Sequence, residues 1–199
     1  MKQELNTVRP SSAHRWMKCA YSAFAEGLLP RSSSTAAEIG TRTHAVAAQR
    51  LYDALKAAFP DADITAPPAL ETDAHSNDIY EDCVDCYVKS VIEYLAATEE
   101  IVERAGIEER LAKSAHGVEI WGTPDCWVYT RTKRLYIFDL KTGEVEVQAH
   151  GNEQLRLYAS MVRASKGLHA MRFELVIIQP RIPNHIKSEC LNYCKLAEF

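Results

Sequence analysis

Near Gly106 the spacing of apolar residues changes from helical to strand-like, and only folds that lay helices against a sheet accommodate both halves. Upstream, Ser11-Ser12 offer N-caps to a helix over residues 12–27, with Trp16, Cys19, Ala20, Ala23 and Phe24 at helical intervals. Thr35-Ala36-Ala37-Glu38 has the form of a capping box. It opens a second helix that runs to Phe59, stops at Pro60 and is broken or bent around Gly40. Residues 60–76 hold Pro60, Pro67 and Pro68 among Asp and Thr, which reads as a loop or lid. From Asn77 onward, Tyr80, Val84, Tyr87, Val88, Val91 and Leu95 mark a long amphipathic helix with Gly106 just past its end.

Downstream, the runs Ile107–Ala112, Gly117–Trp121, Asp125–Thr130 and Leu135–Leu140 predict a strand meander. A helix from about Asn152 to Ser165 follows, then a buried strand, Arg172–Gln179, closed by Pro180. The chain has 199 residues, 47% of them hydrophobic and 25% charged, which suits one globular domain and excludes disorder and fibrous repeats. Within that domain the reading divides into a helical part (11–106), a sheet-and-helix part (107–180) and a C-terminal tail (181–199). The apolar stretches fall far short of the roughly 20 residues that span a bilayer, so no membrane helix is expected. The first residues carry no apolar signal core, which places the chain in the cytoplasm with its six cysteines as thiols. The formal charge of −4 offers a polyanion no global attraction, so any such partner needs a local basic site.

Chemistry concentrates in the meander. Gly122-Thr123-Pro124-Asp125 opens one strand, and Phe138-Asp139-Leu140-Lys141-Thr142-Gly143 closes the next. Side chains alternate along a strand, so Asp139 and Lys141 share a face, and a hairpin brings Asp125 alongside Asp139. Two hard oxygen ligands and one cation suit Mg²⁺ or Mn²⁺ bridged to a phosphate. Phosphodiester hydrolysis is the reaction that uses all three.

Pro124-Asp125 followed by Asp139-Leu140-Lys141 resembles the P-D…D-x-K signature of the PD-(D/E)XK nuclease superfamily. Gln154 and Tyr158, four apart on the helix after the Asp-Leu-Lys strand, are similar to the Q-x-x-x-Y element of its RecB-like, phage exonuclease-like branch. Gly40-Thr41-Arg42-Thr43-His44 resembles that branch's G-x-x-x-H element, and Ser12 to Cys19 looks like its opening helix. The resemblance covers about residues 11–179. It implies a restriction-endonuclease-like αβα sandwich, an α/β fold with a central mixed sheet flanked by helices. It also implies that Asp125, Asp139, His44 and the Leu140 backbone carbonyl hold Mg²⁺ or Mn²⁺, that Lys141 is the catalytic lysine, and that Gln154 and Tyr158 contact DNA or brace the site. Taken alone, Asp139 and Lys141 read as a solvated surface pair; the ordered set reverses that weighting.

Other residues fill secondary places in this reading. Glu119 is an accessory carboxylate or an outward-facing one, and Glu144 and Glu146 belong to a solvated turn. Arg42, Arg131, Lys133, Arg134, Arg156 and Arg163, with Lys166 and Arg172, are candidates for a DNA-gripping rim, with Arg156 and Arg163 seven apart on one helical face. Some RecB-like nucleases hold a [4Fe–4S] cluster, for which Cys19, Cys190 and Cys194 supply three of four thiolates, so a cluster is the less favoured reading. Cys83 and Cys86 form a lone C-x-x-C read as packed thiols, and Cys126 is strand packing. The expectation is a Mg²⁺- or Mn²⁺-dependent deoxyribonuclease, an exonuclease or DNA-processing enzyme of a phage or mobile element, working in the host cytoplasm as a homo-oligomer or with a recombination partner protein. The alternatives are a catalytically silent nuclease-fold module that binds DNA or protein, and a small-molecule phosphoesterase.

Overall fold

The computed structural model describes residues 7–28, 34–69, 79–115 and 117–199. In chain order these give β1 (Thr7–Val8), a 3-10 turn (Pro10–Ser12), α1 (Ala13–Trp16), α2 (Ala20–Leu28), α3 (Thr35–Ala58), β2 (Asp63–Thr65) and α4 (Glu81–Ala96). Then come β3 (Val102–Ile107), β4 (Leu111–Ala115), β5 (Val118–Gly122), β6 (Cys126–Thr130), β7 (Arg134–Leu140), α5 (Glu153–Ser165), β8 (Arg172–Ile178), β9 (Ile186–Asn192) and α6 (Tyr193–Ala197).

Six strands form the central sheet in the order β2-β3-β6-β7-β8-β9. Pairing is parallel for β2–β3 and β7–β8 and antiparallel for β3–β6, β6–β7 and β8–β9, so the sheet is mixed. Alternation sorts its side chains onto two faces. Tyr136, Phe138, Leu140, Val176 and Ile178 pack with Ala47, Leu51 and Leu55 of α3 and Val84, Tyr87 and Val91 of α4. Leu135, Ile137, Phe173, Leu175 and Ile177 pack with Leu155, Ala159, Met161 and Val162 of α5. The αβα sandwich with a central mixed sheet expected from sequence is therefore the architecture found. No helix among the described residues is long and apolar enough to cross a membrane.

Several boundaries differ from the sequence expectation. The helix expected over 12–27 is two helices, α1 ending at Trp16 and α2 starting at Ala20, with a turn at Met17–Cys19 between them. The helix α3 runs unbroken through Gly40, and its N-cap is Ser34, whose side chain accepts from Ala37 N–H, not Thr35. Gly40 serves closeness instead: a Cβ there would stand 3.3 Å from Thr142 Oγ1, so α3 lies directly over the end of β7. The stretch 60–76, expected as a loop, contributes the edge strand β2, while residues 70–76 lie outside the described residues. The amphipathic helix ends at Ala96, and Gly106 lies inside β3, where a Cβ would meet Trp127 Nε1 at 2.4 Å. The first strand of the meander is thus β3, Val102–Ile107, and not Ile107–Ala112. The meander also splits, since β4 and β5 leave the central sheet to pair with β1 in a three-stranded sheet over α5. There Lys113 Nζ donates to Ser160 Oγ at 2.7 Å.

The tail expected at 181–199 is β9 and α6. Its anchor is Glu189, which is buried and accepts from Arg156 Nη2 at 2.8 Å and from Gly151 N–H at 3.1 Å. Leu51 is fully buried between α3 and the sheet, whereas Leu28 on α2 is 62% exposed. Leu51→Ala is expected to cost about 2–5 kcal/mol in urea unfolding, and Leu28→Ala less than about 0.5 kcal/mol.

Candidate metal centre

Elements from both helical layers meet at one end of the central sheet. The register that pairs Cys126 with Phe138 sets Asp125, just before β6, across from Asp139 on β7. Leu140 N–H donates to Asp125 Oδ2 at 2.6 Å, so one carboxylate caps the strand beside it. Glu108 follows β3 in the left-handed region, φ 48°, and its N–H donates to the Asp125 carbonyl at 3.1 Å. That turn carries the Glu108 carboxylate towards α3. From α3, His44 Nδ1 lies 3.3 Å from Asp125 Oδ1 and 3.8 Å from Glu108 Oε1. From α5, Gln154 bridges the remaining pair: its Nε2 donates to Asp139 Oδ1 at 3.0 Å, and its Oε1 accepts from Lys141 Nζ at 3.2 Å. Lys141 Nζ also stands 2.7 Å from Asp139 Oδ2.

Burial and charge pull these groups in different directions. Burial pushes the Asp139 carboxyl up, and the Lys141 ammonium only partly opposes it. Burial also acts most strongly on Asp125, but the His44 charge and hydrogen bond, Lys141 and the Leu140 amide outweigh it and hold that carboxyl below its ordinary value. Glu108 is raised by burial against the hydrogen bond from His44. For His44, burial alone would lower the imidazole, yet Asp125 and Glu108 raise it well above its usual value. Lys141 likewise overcomes burial through Asp139 and remains an ammonium.

The ligand atoms of His44, Glu108 and Asp125 all lie within 4.8 Å of one another. One imidazole and two carboxylates form a donor set that fits a divalent cation. Asp139 stands outside this trio, its carboxylate engaged by Lys141 and Gln154, and the Leu140 group seen to touch the site is its amide. Tyr158, one turn beyond Gln154, is buried against Gly122, and burial pushes its hydroxyl up; its place is that of a brace. Glu108 was missed because the strand before it was placed several residues too late. The usable signal was a pair of carboxylates, Glu108-Glu109, ending an apolar run.

Other predicted residues lie elsewhere. Glu119 faces solvent on β5, outside the trio. Arg131, Lys133 and Arg134 sit at the β6–β7 turn, the opposite end of the strands, about 17 Å away by strand rise. They do not rim this centre, and Arg131 and Arg134 face Glu103 and Glu100. Arg156 is committed to Glu189, and Arg163 lies over the Tyr193 ring, so both serve the C-terminal segment. Lys166 pairs with Glu109, and Arg172 is exposed on β8. Arg42 precedes His44 by two residues on α3 and is half-buried. Glu144 and Glu146, expected in a solvated turn, are exposed and meet Arg181 and Lys187. Cys19, Cys190 and Cys194 are exposed thiols on separate elements. Cys190 stands across from Glu174 on the central sheet, and none of the three belongs to a metal-spaced group among the described residues. Cys83 and Cys126 are buried, and Cys86 is half-buried.

Manganese is expected to raise the melting temperature of the wild type, by about 2.7 kcal/mol of added stability at a hundredfold excess over Kd. Glu108→Gln and Asp125→Asn should lose most of that shift. His44 must shed its proton to bind a cation, and its neighbours raise its pKa. Metal affinity should therefore rise with pH through that raised value and fall below it. Calorimetric titration at two pH values checks both; equal affinities in all three proteins refute the ligand set.

Two solved structures show some likeness. One, described as a "Putative exonuclease" from Eubacterium rectale, superposes with a TM-score of 0.49 at 10% identity, over 97% of this chain and 75% of that one. Another, named SSO0001, gives 0.41 at 16% identity over 100% of this chain and 76% of that one. A family model matches residues 6–199, and the chain therefore belongs to the family described as "Protein of unknown function (DUF2800)".

Proposed function

We propose that this chain is a metal-dependent DNA nuclease that hydrolyses phosphodiester bonds at the His44, Glu108, Asp125, Asp139 and Lys141 centre. The observation that carries the proposal is convergence. These residues come from α3, the end of β3, the start of β6 and the end of β7, and Gln154 joins them from α5. Residues separated by nearly a hundred positions have no reason to gather around one polar point unless the point has a use. The order of His44, Asp125, Asp139-x-Lys141 and Gln154 in sequence is also that of the RecB-like pattern.

The reading assigns a role to each group. His44, Glu108 and Asp125 hold a divalent cation such as Mg²⁺ or Mn²⁺, with Asp139 and the Leu140 carbonyl as further candidates. When bound, the cation supplies Lewis-acid neutralisation of the charge that grows on the scissile phosphate. Lys141 brings a second positive charge from the α5 side. Because Asp139 keeps it protonated, it acts as a fixed cation against the developing oxyanion and not as a base. Gln154 holds Lys141 and Asp139 in one geometry by donating to one and accepting from the other. Tyr158 backs that helix from the core. A phage or mobile-element origin, exonucleolytic action and a recombination partner belong to the same proposal through the family resemblance alone.

Purified protein with linear DNA and Mn²⁺ is expected to release nucleotides. Lys141→Ala and Asp139→Asn should lower kcat by about 10²–10³, and Gln154→Ala by a smaller factor, with cooperative unfolding retained. Equal rates in wild type and the first two variants would overturn the mechanism. DNA binding without cleavage in all of them would favour a silent binding module.

A further inference from the structure

Most arginines of the described chain meet carboxylates: Arg15, Arg50, Arg104, Arg131, Arg134, Arg156 and Arg181 all do. Arg9 and Arg110 are held differently. Their guanidinium carbons stand 4.1 Å and 4.4 Å from the centre of the same indole, Trp121. Repulsion between like charges favours opposite faces of the ring for the two groups over a shared one, and that is the arrangement the inference uses. Both side chains are exposed, and neither meets a carboxylate among the described residues. Stacking uses the face of a guanidinium and leaves its N–H donors free in the plane, directed outward. The Arg9 backbone is pinned as well. The Arg9 carbonyl accepts from Trp16 Nε1 at 2.8 Å and from Ser12 N–H at 3.2 Å. Arg110 lies in the short link between β3 and β4.

This layer adjoins the candidate centre. Arg110 is two residues from Glu108 and Trp121 is four from Asp125, which bounds their Cα separations at about 7 Å and about 14 Å. Gly122, next to Trp121, is packed between Pro10 and Tyr158, so the layer is braced against the helix that carries Gln154. In a chain of net charge −4, two preorganised cations with unused donors beside a cluster of carboxylates form a local anion site.

We infer that the Arg9–Trp121–Arg110 layer grips the DNA backbone through two phosphates flanking the one to be cleaved. The inference rests on the nuclease reading and adds the substrate contact that reading lacks. Both ring faces are covered, so Trp121 spaces the cations and does not stack on bases. Recognition here is therefore indifferent to sequence and sensitive to salt.

The test measures binding of a fluorescein-labelled 20-nucleotide single strand and its duplex by anisotropy in EDTA, and cleavage of the same strands with Mn²⁺. Arg9→Gln with Arg110→Gln is expected to weaken binding about tenfold for each arginine near physiological salt. The slope of log K against log salt should fall by about 0.7–0.9 per lost contact. KM should rise while kcat changes little. Trp121→Leu, which keeps both charges but removes the spacer, should weaken binding as well. Lys89→Gln on α4, a loss of one charge elsewhere, is the control for each single arginine variant and, with Lys56→Gln on α3, for the double variant; it should leave the slope unchanged. If wild type cuts and binds DNA but the double variant keeps the wild-type slope and KM, this inference fails and the nuclease reading stands. If the double variant and Lys89→Gln with Lys56→Gln change alike, the effect is general charge and the inference also fails. If wild type neither binds nor cuts, both fall.

Discussion

The pairing of Cys126 with Phe138 fixes the positions of Asp125, Asp139 and Lys141 at the sheet end, the frame that the groups from α3 and β3 join. Side chains alternate between faces, so a slip of one residue in this hairpin would turn Asp139 and Lys141 towards α3 and send Phe138 to the α5 side. The apolar alternation of β7 resists that slip: Tyr136, Phe138 and Leu140 fill one core, Leu135 and Ile137 the other. The short hydrogen bond from Leu140 to Asp125 then locks the end of the pair. Core packing thus sets the geometry of the polar site at its edge.

Around that point, charges are layered by sign. Asp125 lies next to His44, and Asp139 next to Lys141, so each buried carboxylate has its own cation. An unpaired ion at such depth costs several kcal/mol, and pairing offsets much of it. The pairs differ in outcome because burial prevails at Asp139, whereas at Asp125 the histidine, the lysine and a backbone amide together prevail. Asp125 is therefore the more firmly ionised of the two aspartates, and it is beside Asp125 that Glu108 brings its carboxylate.

Legibility in the sequence followed the strength of local patterning. The helix α5 and strand β8 were read to within a residue or two because Asn152 caps the one and an unbroken apolar run marks the other. Asp125, Asp139 and Lys141 were legible from strand alternation and a tight hairpin, and Gln154 from its resemblance to the Q-x-x-x-Y element on the helix that follows. Glu108 escaped because β3 carries two small residues, Ala105 and Gly106, and its apolar signal blended into the helix before it. The notch Gly106 provides for Trp127 is a tertiary demand that looks, in sequence, like a helix stop. Strand β9 escaped for the opposite reason. As an edge strand it alternates Lys187, Glu189 and Cys190 among few apolar residues, and its burial depends on Arg156 from another element.

The β6–β7 hairpin closes through a turn of three residues, while His44 reaches the same point from more than eighty residues away. Loop-closure entropy grows with the segment enclosed, so the two aspartates and the lysine can come into register early in folding, before the rest of the sandwich exists. The imidazole arrives only when α3 docks. The centre is consequently assembled in two stages. Loosening α3 alone withdraws the imidazole and leaves the carboxylates of Asp125 and Asp139 in place, so a cation held as proposed would be released well short of unfolding.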